Sequence, residues 1–419
     1  MAVANDLSTF DGLFKVQYHS DLENLIPQHV LLQNGLIDWV PSDKQNGEYY
    51  SVPTLLRSNQ GVSYLGESGA VSALKSPKPG QMREAQIKGS EINVRGQISY
   101  KALSQAAQAG ARAFKKSSAW LVEDLANVAH TRIEIAALYG QTGLGVIDTA
   151  TSVGGGTYDL VIQEAEFAAG IWVLLEGATV EFFNGTNIVG TNLVGTIKQV
   201  TTSTRTVRVD LSGTGTPASG NTIFPEGAAL NGGSFQEMTG LYKQLTATSG
   251  TLFAIDRGAY ALMQGNVKNI GGPITKAKVI DASMLAVDKG CLSDLVMLVG
   301  TKAWAALAAE DMALRMFDSS YSSEKSESGS KEIIYEKVGG SIKVMCHPLV
   351  KNGHAFILNP EDAIWVGSSK PTFEIPGMSE KFFRLVDGSN AFELQNYADL
   401  AIYILKPCQT VVLTGITYA

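Results

Sequence analysis

The sequence predicts an α+β fold in which several parts of the chain must bury themselves against neighbours. Three observations carry that expectation. Short apolar and polar alternations, broken by turns, fill most of the 419 residues, 43 of which are glycine. One stretch, Ala113 to Gly140 (AFKKSSAWLVEDLANVAHTRIEIAALYG), has neither proline nor an internal glycine and reads as a single long helix. Residues 1–45 and 46–100 hold too little apolar mass to form cores of their own.

Composition sets the outer bounds. Hydrophobic residues make up 45% and charged residues 17%, a foldable globular balance. The net charge of −7 argues against a sequence-reading nucleic-acid binder, which carries a basic excess. Cys291, Cys346 and Cys408 lie far apart, and no CxxC occurs, so neither a disulfide framework nor a zinc knuckle is encoded. They are expected to be buried free thiols in a reducing cytoplasm. The N-terminus lacks the basic-then-apolar order of a signal peptide. The longest strongly apolar run, Ala168–Leu175, is too short to span a bilayer, so no membrane is expected as a partner.

Residues 1–45 read as an arm. Leu25, Ile26, Val30, Leu31 and Leu32 fit a short helix with Pro27 early and Asn34-Gly35 at its close. Residues 46–100 read as a two-stranded excursion, EYYSVPTLL and EINVRGQISY, with a polar loop between them. Its second half is basic: Lys75, Lys78, Arg83, Lys88 and Arg95 stand against Glu84 and Glu91, a net of +3. These five cations are candidates for contacts between subunits.

The long helix comes next, in a segment 101–156. At 100° per residue, Phe114, Ser118, Leu121, Val122, Leu125, Val128, Ala129, Ile133, Ala136 and Tyr139 share one face. Lys116, Glu123, Asn127, His130 and Glu134 fall opposite. Residues 113–139 would extend about 40 Å. Arg132 projects from within the apolar stripe and needs an opposing charge from another segment or another subunit.

Residues 157–235 alternate β-branched and polar residues between glycine turns, with Asn184-Gly185 as a hairpin signal. They read as an inserted all-β module of five or six strands. Residues 236–365 are mixed: TLFAIDRGAYALMQG as strand then helix, DASMLAVDKG as helix, SDLVMLVG as a buried strand, TKAWAALAAEDMALRMF as helix. Ser319–Glu332 is a solvated loop, and 366–419 ends in two strands split by Pro407.

No catalytic, cofactor or metal constellation rises above background. GxxxxGK[ST] is absent, and Gly66–Gly69 is not a nucleophile elbow. His19, His29, His130, His347 and His354 never take paired-ligand spacing. Cys346 and His347 are adjacent, which on a strand sends them to opposite faces. Glu361-Asp362 in NPED starts a turn or caps a helix, and Asn184-Gly185-Thr186 is a turn rather than a glycosylation site. An enzyme is not expected.

The order of elements resembles the major capsid proteins of tailed bacteriophages, the Hong Kong phage fold. Arm, extended hairpin and a long helix ending in AALYG are followed by SDLVMLVGTKAWAALAAEDMALRMF, with Trp304 near the helix start. Then come VGGSIKVMCHP, AFILNPEDAIWVG and AFELQNYADLAIYILKPCQTVVLTGI. The order, not any one motif, carries the likeness. The resemblance implies an N-terminal arm (1–45), an E-loop (46–100), a spine helix with the start of a peripheral domain (101–156) and a β-rich insertion (157–235). An axial domain with peripheral segments (236–365) and a return to the peripheral domain (366–419) follow. It implies self-association into hexamers and pentamers of an icosahedral shell, and scaffolding and portal proteins during assembly in the host cytoplasm. Packaged double-stranded DNA is expected in the virion, and a decoration protein is a further partner the family admits. A chain opening on Met1 leads us to expect a separate scaffolding protein. Lys116, Glu123, Asn127, His130 and Glu134 would face the lumen and its DNA. An encapsulin-like compartment is the alternative on the same fold. An enzyme or carbohydrate-binding β-module is the alternative outside it.

Overall fold

Six strands between Gly145 and Pro225 close into a barrel. Around it run Gly145–Gly154, Thr157–Ile162, Thr206–Thr214, Thr191–Thr201, Thr179–Phe183 and Thr222–Pro225, the last pairing back onto the first. Inward positions alternate with outward ones, so Val207 and Val209 are buried while Thr206, Arg208 and Asp210 are not. Closure removes the sheet edges a free module would expose. The barrel starts earlier than the expected boundary at 157. Its first strand, GVIDTATSVG, falls in the segment 101–156 assigned to the long helix and the start of the peripheral domain. Within the module the apolar run becomes a short helix, Ala169–Leu174, which buries Trp172. Gly145 is required there, because a Cβ would come 3.1 Å from the Trp172 ring and 2.9 Å from Ile162.

This computed structural model describes residues 31–40, 49–67, 73–101, 117–231, 234–316, 333–374, 383–385 and 390–418. The expected helix around Leu25–Val30, Lys116 and the loop Ser319–Glu332 lie outside them. The fold is mixed α+β.

Residues 94–128 and 373–396 belong to one compact unit. Its core sets Leu121 and Leu125 of the long helix, Ser117–Tyr139, against Val94, Ile98, Phe373 and Leu394. The helix rides close over Gly96, where a Cβ would sit 2.8 Å from Leu121.

The other unit holds 28–93, 129–372 and 397–419, and with them the barrel and a six-stranded sheet. The sheet runs Asn266–Gly272, Val411–Ile416, Ala355–Leu358, Leu295–Val299, Gly340–Cys346, Ile333–Lys337. Helices Lys276–Val287 and Thr301–Met316 cover it, burying Val279, Ala282, Ala286, Ala303 and Leu307. TLFAIDRGAYALMQG is not strand then helix. It is a two-residue hairpin, Thr251–Leu252 with Ile255–Asp256, followed by the 3-10 turn Ala261–Met263. Phe253 and Ala254 take left-handed φ values of 52° and 63° at its tip. The described part of the arm is a π-helical turn, Leu32–Leu36, that runs through Asn34-Gly35 instead of stopping before it.

The excursion is a hairpin, but not the one expected. Its strands are Tyr50–Arg57 and Gln81–Ile87, and EINVRGQISY belongs to a separate strand, Ser90–Ser99. The base is anchored by Leu56, Ala85 and Ile87 against Ile255, Val366, Ala401 and Tyr403.

The end of the long helix is sealed by a glycine pair. A Cβ on Gly140 would lie 2.1 Å from the Met238 carbonyl, and one on Gly240 would lie 2.4 Å from the Gly140 nitrogen. Both obstacles are backbone and cannot swing away. Gly140→Ala is expected to cost about 2–3 kcal/mol by overpacking, read as a lower denaturant midpoint.

Candidate functional site

Helix geometry alone puts Glu134 on the polar side, yet it is completely buried. The cause is the arm. Glu134 Oε1 accepts the backbone amides of Leu31 (2.8 Å) and Leu32 (2.6 Å) and lies 3.0 Å from His347 Nε2. Leu349 N–H donates to His347 Nδ1, so the ring proton sits on Nε2 and points at the carboxylate. Gln33 finishes the clasp. Its amide donates to Glu134 Oε2 (3.1 Å) and to the His130 carbonyl (2.8 Å), and its oxygen meets His130 Nδ1 at 2.7 Å. Trp365 Nε1–H donates to the Leu32 carbonyl. One carboxylate thus binds the start of the turn Leu32–Leu36 as it would bind an orphaned helix start.

This corrects two expectations. Glu134 cannot face a lumen or DNA. Nor is burial one-sided along the helix: from Thr131 on, all but Arg132 are buried, while Val122 and Val128, assigned to the apolar stripe, are exposed. Glu123 is exposed, and Asn127 and His130 are half-buried. Burial lowers the His130 pKa against the pull of Glu134, so it is neutral at pH 7.

Arg132 finds its opposing charge within its own chain. Burial lowers its pKa and Glu237 raises it, and its Nη1 has no hydrogen-bond partner. Its assignment to a subunit contact is therefore not needed to explain the charge.

A second buried ionic group ties the barrel connection to the loop after strand Gly340–Cys346. Lys351 Nζ reaches Glu166 Oε2 (2.6 Å) and the Gly143 carbonyl (3.0 Å), and lies 4.4 Å from the centre of the Tyr139 ring. Burial raises the Glu166 pKa, but the charge and hydrogen bond of Lys351 outweigh it and hold the carboxyl below its ordinary value. Burial pushes His354 down to about 4, so it is neutral and stacks on Tyr242 at 4.4 Å. Among the described residues no group of His, Cys, Asp and Glu could hold a metal ion. Cys346 is exposed, not buried as expected, whereas Cys291 and Cys408 are buried. His347 points inward from its neighbour Cys346, so the two do not act together.

The most unusual surface is the hairpin. Tyr64 is 90% exposed, Leu74 74% and Met82 72%, and Leu55, Val62 and Leu65 are exposed too. Leu55 and Met82 are cross-strand partners, a bare apolar pair on one face. Lys75, Lys78, Arg83 and Lys88 are exposed along the same excursion. Arg95 is exposed as well, but on strand Ser90–Ser99, where the field of Glu393 reaches it. Among the described residues no helix is long and apolar enough to cross a membrane.

No protein-family model matches the chain, and no curated protein sequence matches it at a significant level. Solved structures do. The capsid of a native GTA particle aligns over 99% of this chain and 100% of its own, at 9% identity and a TM-score of 0.54. The capsid asymmetric unit of cyanophage A-1(L) aligns over 97% and 98%, at 12% identity and a TM-score of 0.55. The SrpI encapsulin from Synechococcus elongatus PCC 7942 aligns at a TM-score of only 0.45. The chain shares the fold of the phage-type capsid subunits.

Proposed function

We propose that this chain is the major capsid protein of a tailed bacteriophage, a structural subunit that assembles into hexamers and pentamers of an icosahedral shell around double-stranded DNA. On this reading it resides in the virion, after assembly with scaffold and portal in the host cytoplasm. The observation that carries the proposal is the projecting hairpin, which exposes Tyr64, Leu74 and the Leu55–Met82 pair on a fold shared with capsid subunits. Covering such side chains takes their apolar surface out of water, which stabilises the contact by about 25 cal/mol per Å². A neighbouring copy is the cover a shell supplies. The cations Lys75, Lys78, Arg83 and Lys88 add charge to that contact. Glu123, Asn127 and His130 remain candidates for the DNA-facing side. A decoration protein is a further partner on this reading.

Electron microscopy of the purified protein tests it: closed shells are expected, and a small oligomer of fixed size at every concentration would overturn it. Nucleic acid inside the shells separates a capsid from a cargo compartment.

A further inference from the structure

The six-stranded sheet has two open edges, strand Asn266–Gly272 on one side and strand Ile333–Lys337 on the other. Among the described residues no further strand pairs with either. The ladder fixes which backbone groups face outward. Asn266 stands beside Val411 in a parallel pairing, and its N–H donates to the Thr410 carbonyl. Alternate residues bond inward in such a ladder. Asn266 and Lys268 therefore do so, and Val267 and Asn269 turn their N–H and C=O groups outward.

The opposite edge follows from its neighbour, strand Gly340–Cys346. The Ser341 N–H goes to Asp294 Oδ1 at 2.7 Å, and the His347 N–H, just past the strand, goes to the Val299 carbonyl at 2.8 Å. Odd-numbered residues thus bond toward strand Leu295–Val299, and the even-numbered ones toward Ile333, Tyr335 and Lys337. Ile334 and Glu336 are left with their backbone groups outward.

The two edges match. Each offers two outward residues, two positions apart. Three of the five pairings across the sheet are antiparallel, so the edge strands run in opposite directions. Lys268 reaches Asp281 of the covering helix at 2.8 Å, and Ile333 and Tyr335 pack on the same helix-covered side. Val267 and Ile334 therefore share the other face, and both are exposed. Leu292 and Val338 extend the bare apolar surface at the turn next to Ile334. Neither edge strand contains a proline, which would block pairing.

We propose that strand Asn266–Gly272 of one copy pairs antiparallel with strand Ile333–Lys337 of a second copy, so that the sheet runs on from subunit to subunit. This rests on the reading of the chain as a shell subunit. Copies related by rotation show each other two different sides, so their contact needs two unlike surfaces that fit. The two edges are such a pair, and Val267 and Ile334 leave water together on one face.

Cross-linking tests the contact. Val267→Cys and Ile334→Cys are combined in one chain with the exposed Cys346 replaced by serine; Cys291 and Cys408 are buried. Within one copy the two positions are five strand spacings apart, about 24 Å, beyond the reach of a short bis-maleimide. Treating the purified assembly with that reagent is expected to give a series of dimers, trimers and larger species on a denaturing gel. Either new cysteine alone is expected to leave monomers. Dimers from a single variant, or monomers only from double-variant shells intact by electron microscopy, overturn the proposal and leave the shell reading standing. If the double variant does not assemble, hydrogen exchange on the wild-type chain decides. The amides of Val267, Asn269, Ile334 and Glu336 are expected to exchange on the order of tenfold or more slowly in shells than in free subunits. Equal rates overturn the proposal. A wild-type chain that forms no shells overturns the shell reading, and this contact with it.

Discussion

Glu134→Ala is expected to be the most destabilising single substitution in the helix, costing about 3–5 kcal/mol. The change strands a set of donors together. The Leu31 and Leu32 amides, His347 Nε2–H and one Gln33 N–H all lose their acceptor, the Leu32 amide and the His347 N–H in a buried place. It also leaves the space of a carboxylate between arm and helix. Glu134→Gln keeps one acceptor oxygen, so a smaller loss, about 1–2 kcal/mol, is expected. Two measurements check this. Denaturant midpoints give the order wild type, Gln, Ala. Limited proteolysis should cut between residues 31 and 40 in the Ala variant well before the wild type, because the clasp holds that segment down. A fall in midpoint with no change in cleavage would mean that Glu134 stabilises the helix and not the arm.

Removing residues 60–79 and closing the gap with a short turn is expected to abolish shell formation while leaving a folded subunit. Stability lies at the hairpin base, in Leu56, Ala85 and Ile87, all outside the deletion. The removed part contributes exposed Val62, Tyr64, Leu65 and Leu74 with Lys75 and Lys78. A cut reaching residue 85 would take away most of the return strand and the buried Ala85, and would confuse misfolding with failed assembly. Electron microscopy and a thermal melt on the same sample read the two effects apart. Normal shells from a well-folded deletion variant would remove the hairpin from the assembly contact.

Some of this was legible in the residues and some was not. Lys276–Val287 reads as helix only from Asp281 on, whereas Leu295–Val299 and Thr301–Met316 follow patterns that local propensity and burial share, and they read directly. The return strand Gln81–Ile87 did not, because QMREAQI carries four polar residues in seven and is a strand only through its ladder with Tyr50–Arg57. Glu134 was misplaced for a related reason. A helical wheel assumes that one side meets protein and the other water, whereas here the covering layer comes from 102 residues away and the histidine from 213. The opposing charge of Arg132 was likewise beyond local spacing. What the pattern holds is the need for a counter-charge, and only the fold says that Glu237 meets it.

The barrel begins and ends side by side. Gly145 pairs with Ile223 and Val146 with Thr222, so the chain leaves the module one strand spacing from where it entered, about 5 Å. Seen from the rest of the polypeptide, some eighty residues occupy the width of a single turn. Genetic exchange can therefore swap, lengthen or delete this cassette at one locus without rerouting the surrounding chain. The limit on such exchange is the Glu166–Lys351 contact and the apolar core that barrel and sheet share. A successful replacement must inherit that seam, and sequence drift should be slowest along it.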